Sequence, residues 1–204
     1  MVRAMARWAA YRVPDAVPDD TEESVVGTEW HQEAGGDAAA KLREGGRRRG
    51  ASWGVCEEVA LTGLRHADGR PYDPRPDVMV LPSPLASGRL SAVALAEAGV
   101  PLLIVEVASR WTVDNDVGEK RAAYEAIGVG EYLVFDPDGG LLATPLLAWR
   151  LEGVAYRPRP PEADGTWCSV ALGLAFVPTQ PLLGSRSGIL EAKIRPPVRH
   201  REGA

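Results

Sequence analysis

The clearest alternation of apolar and polar positions in the chain runs through residues 101–137. An unbroken apolar run, Leu102 to Val105, has the character of a strand buried on both faces, and a second run follows at 131–136. Between them the spacing predicts a helix over 117–127. Asp116 stands at its N-cap with Glu119 three residues on, a capping-box spacing, and Gly128 stands where a left-handed C-terminal residue belongs. Strand, helix and strand in this order make a right-handed crossover, which sets strands 101–108 and 131–136 parallel in one sheet with the helix packed over it. Val117, Tyr124 and Ile127 form the apolar stripe of that helix. Lys120 lies on the same stripe and therefore points inward, in a first turn whose dipole disfavours a cation, so an anion should face it.

Residues 1–20 carry Pro14 and Pro18 and no sustained period, as in an extended arm. From Thr21 the composition is helical, with 29–33 and 37–44 the better parts; Gly35 and Gly36 between them cost roughly 1 kcal/mol each against alanine, which predicts a kink or break. Residues 52–62 read as a strand, 63–76 as a loop, and Val78 to Leu81 as a short buried strand led by Asp77. Residues 83–100 are a connection with a weak helix at 91–98. The segments LLAWRLEG, VAYRPRP and TWCSVALGLAFVP alternate like strands of an antiparallel extension, and 184–204 reads as a disordered basic tail.

Composition narrows the function classes. The 204 residues suit one fairly large domain, and 45% apolar residues suffice for a core. A net charge of −5 gives no global attraction for nucleic acid, so any DNA contact must be local. Basic clusters exist at Lys41, Arg43 and Arg47, Arg48, Arg49, and again from Lys193 to Arg201. Cys56 and Cys168 are far apart and outside any C-x-x-C spacing, which indicates neither a disulfide framework nor a zinc ribbon and fits a reducing cytoplasm. Arg3, Arg7 and Arg12 interrupt what would have to be the apolar core of a signal peptide. Arg89 and Glu97 break the longest candidate for a membrane span, so no membrane is expected as a partner.

Three residues then carry the candidate chemistry. Asp77 and Glu106 offer hard oxygen ligands beside one sheet, and Lys120 offers a cation to meet them. This suits a magnesium-type site, since Mg²⁺ takes one or two protein carboxylates and keeps waters and substrate phosphate as its other ligands. Each residue also has an ordinary reading: Asp77 as turn chemistry, Glu106 at an exposed strand end, and Lys120 as the solvated i,i+4 partner of Asp116. Glu29, His31 and Glu33 on the first helix are also available to a site.

The ordered motif Arg75-Pro-Asp-Val, Val105-Glu-Val-Ala-Ser, Thr112, Asp116, Glu119-Lys120, Tyr124, Gly128-Val129 and Glu131-Tyr132-Leu-Val-Phe-Asp136-Pro137 resembles the Uma-type putative restriction endonuclease family of the PD-(D/E)XK nuclease superfamily. The resemblance covers roughly 21–183 and is strongest over 75–137. It implies an α/β restriction-endonuclease-like core: a central mixed β-sheet flanked by helices, with an antiparallel C-terminal strand extension. It further implies a metal site at Asp77 and Glu106 with the backbone carbonyl of Val107 as an additional ligand, Mg²⁺ as cofactor with Mn²⁺ able to replace it, and DNA as partner, and it leaves room for a homodimer. Where the superfamily's E-x-K pattern places its lysine this chain has Ala108, so that role would pass to Lys120. The paired glycines depart from the family's first helix and count against a site role for Glu29, His31 or Glu33, of which Glu33 stays an accessory candidate with Asp116 and Tyr124.

The reading that follows is a metal-dependent endonuclease hydrolysing DNA phosphodiesters, with Arg47, Arg48 and Arg49 as the DNA-binding patch. Two alternatives stand beside it: a non-catalytic binding or assembly module that keeps the three charges as an ion-pair network, and a hydrolase of small phosphoesters. A positive surround favours the first, Lys120 bridged to Glu106 in a closed dry pocket the second, and an acidic rim on an open cleft the third.

Overall fold

A computed structural model describes residues 22–66, 68–85, 90–137, 139–179 and 190–194, with backbone only for 22–30 and 191–194. The expected arm at 1–20 and most of the tail at 184–204 lie outside the described residues. In chain order, helix α1 (Glu22–Arg49) leads to strands β1 (Gly54–Glu57), β2 (Ala60–Thr62), β3 (Leu64–Arg65), β4 (Pro71–Tyr72), β5 (Val78–Leu81) and β6 (Ala92–Ala94). Then come α2 (Leu95–Ala98), β7 (Leu103–Val107) and a helical segment made of α3 (Val113–Asn115), a π-helical turn (Asp116–Lys120) and α4 (Arg121–Ile127). The strands β8 (Glu131–Phe135), β9 (Leu146–Glu152), β10 (Ala155–Pro158), β11 (Trp167–Cys168), β12 (Leu174–Pro178) and β13 (Leu190–Ile194) complete it.

The central sheet has six strands in the order β1-β5-β7-β8-β9-β10. Its pairs are antiparallel except β7 and β8, which run parallel as the crossover unit requires. Alternation along the strands divides the core in two. Val78, Val80, Leu103, Val105, Val107, Leu133 and Phe135 face Ala34, Ala38, Ala39 and Leu42 of α1 together with Trp167, Leu174 and Phe176 of a second sheet, β11-β12-β13. Met79, Leu81, Ile104, Tyr132 and Val134 face Val113, Ala123 and Tyr124 of the crossover segment on the other side. Strands covered on both faces must be apolar at nearly every position, which is why β5, β7 and β8 read as continuous apolar runs.

Several expectations change. Helix α1 is continuous through Gly35 and Gly36, because the contact of its alanine and leucine face with the sheet offsets the intrinsic cost of the glycines. The strand expected at 52–62 is split at Glu58, whose φ of +50° turns the chain between β1 and β2. The loop at 63–76 contains the small β3-β4 hairpin, and 91–98 divides into β6 and α2.

The crossover helix begins at Val113, so Asp116 is an internal helical residue (φ −63°, ψ −46°) and not its N-cap. The turn before it is closed instead by Ser109 and Thr112, whose hydroxyls meet at 3.0 Å. Lys120 consequently lies beyond the first turn, and the dipole argument for it falls away. Gly128 has the expected left-handed conformation (φ 88°, ψ 23°). Of the late segments only β9 and β10 extend the central sheet. The tail expected to be disordered contributes β13, which pairs with β12 and buries Leu190 at 1% exposure, because β12 would otherwise present an unpaired edge.

Candidate active site

Asp77 and Glu106 come together through sheet register. Strands β5 and β7 pair Val78 with Val105 and Met79 with Ile104, so continuing by one residue sets Asp77 across from Glu106 on the same face. The Asp77 amide donates to Glu106 Oε2 at 3.3 Å, and the Val107 amide donates to Asp77 Oδ2 at 2.7 Å. The start of β5 is itself held, since the Asp77 carbonyl accepts the Glu58 amide at 3.1 Å. Glu106 is fully buried, not at an exposed strand end.

Lys120 reaches this pair from the π-helical turn. Its Nζ lies 2.9 Å from Glu106 Oε2 and 2.8 Å from Asp116 Oδ1, with the lysine side chain 12% exposed and Asp116 1% exposed. The expected Asp116 to Lys120 pair therefore exists, but it is buried and shared with Glu106. The wider turn frees carbonyls that side chains take up: Tyr132 donates to Asp116 O at 2.7 Å, and Arg121 Nε donates to Val117 O at 2.9 Å. Tyr124 donates its hydroxyl to Glu106 Oε1 at 2.9 Å, so both Glu106 oxygens are engaged.

The electrostatics follow from three carboxylates around one lysine. Burial raises the Glu106 pKa well above the ordinary carboxylate range; Lys120 opposes this, and the nearby Asp77 and Asp116 charges add to it. Burial raises Asp116 too, against the pull of Lys120. For Lys120, burial works to lower the pKa, but Glu106 and Asp116 outweigh it and the amine stays protonated.

The residue set differs from the expected one at α1. His31, set aside because of the glycine pair, places Nε2 3.0 Å from Asp77 Oδ1. Burial alone would lower its pKa, yet the hydrogen bond and charge of Asp77, with Asp116, raise it. Glu33 is exposed and makes none of these contacts, and the side chain of Glu29 lies outside the described residues. The signal that could have found His31 is the apolar face of α1: Ala34, Ala38 and Leu42 face the sheet, and His31 stands one turn before Ala34 and Gly35 on that side. An open cleft of about 280 Å³ beside Asp77 is lined by His31, Gln32, Gly35, Gly36, Glu57 and Glu58.

Arg47, Arg48 and Arg49 end the same helix. At 1.5 Å per residue they lie about 24 Å along it from His31. Arg47 and Arg48 pair with Glu44, and Arg49 donates to the Gly173 carbonyl at 3.2 Å.

Among the described residues no group of three or more His, Cys, Asp or Glu side chains has metal-holding geometry. No helix among them is long and apolar enough to cross a membrane.

No curated protein matches the chain. One solved structure similar to it is a putative nuclease belonging to DUF820 from Anabaena variabilis, 12% identical, with 80% of this chain and 83% of that one covered and a TM-score of 0.46. The fold is α/β, a six-stranded mixed sheet covered by helices. Residues 20–177 match the model of Uma2, described as putative restriction endonuclease, and with that span covered the chain belongs to the Uma2 family.

Proposed function

We propose that the protein is a metal-dependent endonuclease that hydrolyses DNA phosphodiesters at the Asp77, Glu106 and Lys120 site. The observation that carries the reading is the side-by-side placement of the two carboxylates at one end of β5 and β7 with the lysine amine against them. The donor set fits a Mg²⁺ or Mn²⁺ ion: both side chains offer hard oxygens, and three carboxyl groups, Asp77, Glu106 and Asp116, stand around the single amine of Lys120. Asp77 and Glu106, with the Val107 carbonyl, would hold the ion, leaving its other positions to water and phosphate. A divalent ion in such a place supplies an activated water and offsets charge on the phosphoryl oxygens.

The protein's own groups have separate tasks. Lys120, held protonated, orients the attacking water and stabilises charge that develops on the scissile phosphate. Tyr124 fixes the Glu106 carboxylate through Oε1, and Asp116 anchors Lys120. Arg47, Arg48 and Arg49, at about seven base-pair rises from the site along α1, would hold flanking phosphates. Replacing all three should weaken DNA binding and flatten its dependence on salt.

Incubation of plasmid DNA with the protein in Mg²⁺ and in Mn²⁺ tests the reading. Wild type should nick or linearise the plasmid, and Asp77→Ala, Glu106→Gln and Lys120→Met should each lose at least ~100-fold in rate, the scale seen when one stabilising group is removed from an electrostatic site. No cleavage in either metal sinks it. One observation favours a second reading: Lys120 is bridged to Glu106 in a nearly dry setting, as in a non-catalytic assembly module that keeps the charges as a structural network. That reading requires a clear loss of metal-free stability in Glu106→Gln. The acidic rim of Glu57 and Glu58 on the open cleft is the feature a hydrolase of small phosphoesters would show, so bis-p-nitrophenyl phosphate belongs in the same assay.

A further inference from the structure

We propose that His31 is a positioning residue of this site: its Nε2 holds Asp77 Oδ1 so that the carboxylate stays oriented to take a metal ion beside Glu106. The inference rests on the metal-site reading given above. An aspartate carboxylate turns readily about its last torsion, so one hydrogen bond leaves its plane poorly set. Here each oxygen has its own donor, the Val107 amide at Oδ2 (2.7 Å) and His31 at Oδ1 (3.0 Å). The two donors come from different elements, β7 and α1, and together they fix the plane while leaving a lone pair on each oxygen. Hydrogen bonds of this kind to ligating carboxylates raise metal affinity by removing the disorder that binding would otherwise have to freeze.

Two further features separate this role from simple stapling of α1 to the sheet. The first is the other ring nitrogen: Nδ1 of His31 is buried without a hydrogen-bond partner among the described residues. A residue serving only the docking of α1 has no reason to carry an unpaired buried nitrogen, which costs the fold stability. The second is the room left around the contact. Gly35, one turn on from His31, lines the same cleft as His31 and Asp77 and adds no side chain to it; a Cβ there would stand 3.9 Å from Asp77 Cβ. Helix α1 thus brings an imidazole to the carboxylate and keeps the space beside it open.

The test is Mn²⁺ binding to the full chain, followed by calorimetry and by the electron paramagnetic resonance signal of free Mn²⁺, for wild type, His31→Ala, His31→Gln and Asp77→Ala. Glutamine keeps an N–H donor at similar reach. The expected result is that His31→Ala weakens Mn²⁺ binding about 10-fold or more while His31→Gln stays within about 3-fold of wild type, with the metal-free melting temperatures of the two variants alike. If the alanine variant does not fold, His31→Leu, which fills the volume and lacks the donor, takes its place. Wild-type affinity in the donor-less variant overturns the proposal, and so does an equal loss in the alanine and glutamine variants. Loss only in Asp77→Ala leaves the metal site standing without His31, whereas no Mn²⁺ binding by wild type overturns both the metal-site reading and this inference.

Discussion

Two neighbouring strands of the central sheet each bury a glutamate, and their surroundings differ. Glu131 at the start of β8 accepts Arg150 Nε at 3.0 Å and the Val170 amide at 2.9 Å on Oε1, and the Ser169 hydroxyl on Oε2. One cation and two neutral donors balance one negative charge. These contacts tie β8 and β9 to the chain around β11, so the network joins the two sheets. Glu106 on β7 is equally buried but shares its single lysine with Asp116 and stands across from Asp77. A closed charge balance makes a structural joint. A surplus of buried carboxylates destabilises the protein alone and has a physical reason to persist where a cation is to be bound.

The largest effect should come from applying the same substitution to both sites. Glu131→Gln leaves Arg150 without its counter-charge and is expected to cost about 2 kcal/mol. In a chain of this size that lowers the melting temperature by roughly 4–8 °C, as thermal unfolding followed by circular dichroism would show. An unchanged melting temperature would erase the distinction between the two glutamates.

Metal addition is the next probe. With a dissociation constant on the order of 1 mM, 10 mM Mg²⁺ should stabilise wild type and Glu131→Gln alike by about 1.4 kcal/mol, and Asp77→Ala hardly at all. Equal stabilisation of Asp77→Ala would place the ion elsewhere.

The pH dependence has a definite sign. Glu106, Asp116 and His31 all have folded-state pKa values above their ordinary ones, so the native state keeps protons that the unfolded chain releases. Their stabilising contribution is complete below the unfolded pKa of each group and is lost as pH rises through the folded one. In a chelating buffer the stability of wild type should therefore fall between pH 5 and 8, and Glu106→Gln should show a shallower fall. Urea titrations across that range compare the slopes, and identical slopes would remove Glu106 as a source.

The smallest expected effect is that of Glu106→Gln at a single neutral pH without metal. A glutamine oxygen can accept from Lys120 and the Asp77 amide while its amide group donates to Tyr124, so no partner is lost and one of three like charges disappears. Stability should be equal or slightly higher. A marked loss would make Glu106 a structural joint like Glu131 and favour the assembly-module reading.

Much of the crossover unit was legible in order: the apolar runs of β5, β7 and β8, the buried Lys120 on the Tyr124 stripe and the left-handed Gly128 are local patterns that spacing alone conveys. What spacing could not supply is where long-range contacts override local preference. Asp116 looks like an N-cap because its neighbours carry capping-box chemistry, yet the turn at Ser109 and Thr112 starts the helix earlier and makes Asp116 an inward carboxylate.

At α1 the same limit hides the contact of His31 with Asp77. Two adjacent glycines argue for a break when helix propensity is the only term, but packing of Ala34, Ala38, Ala39 and Leu42 on the sheet keeps the helix continuous and carries His31 to Asp77, 46 positions away. Local spacing conveys which charges stand among apolar neighbours. Which of them meet is set by the folded chain, because register across β5 and β7 and the path of α1 depend on contacts between residues far apart in sequence.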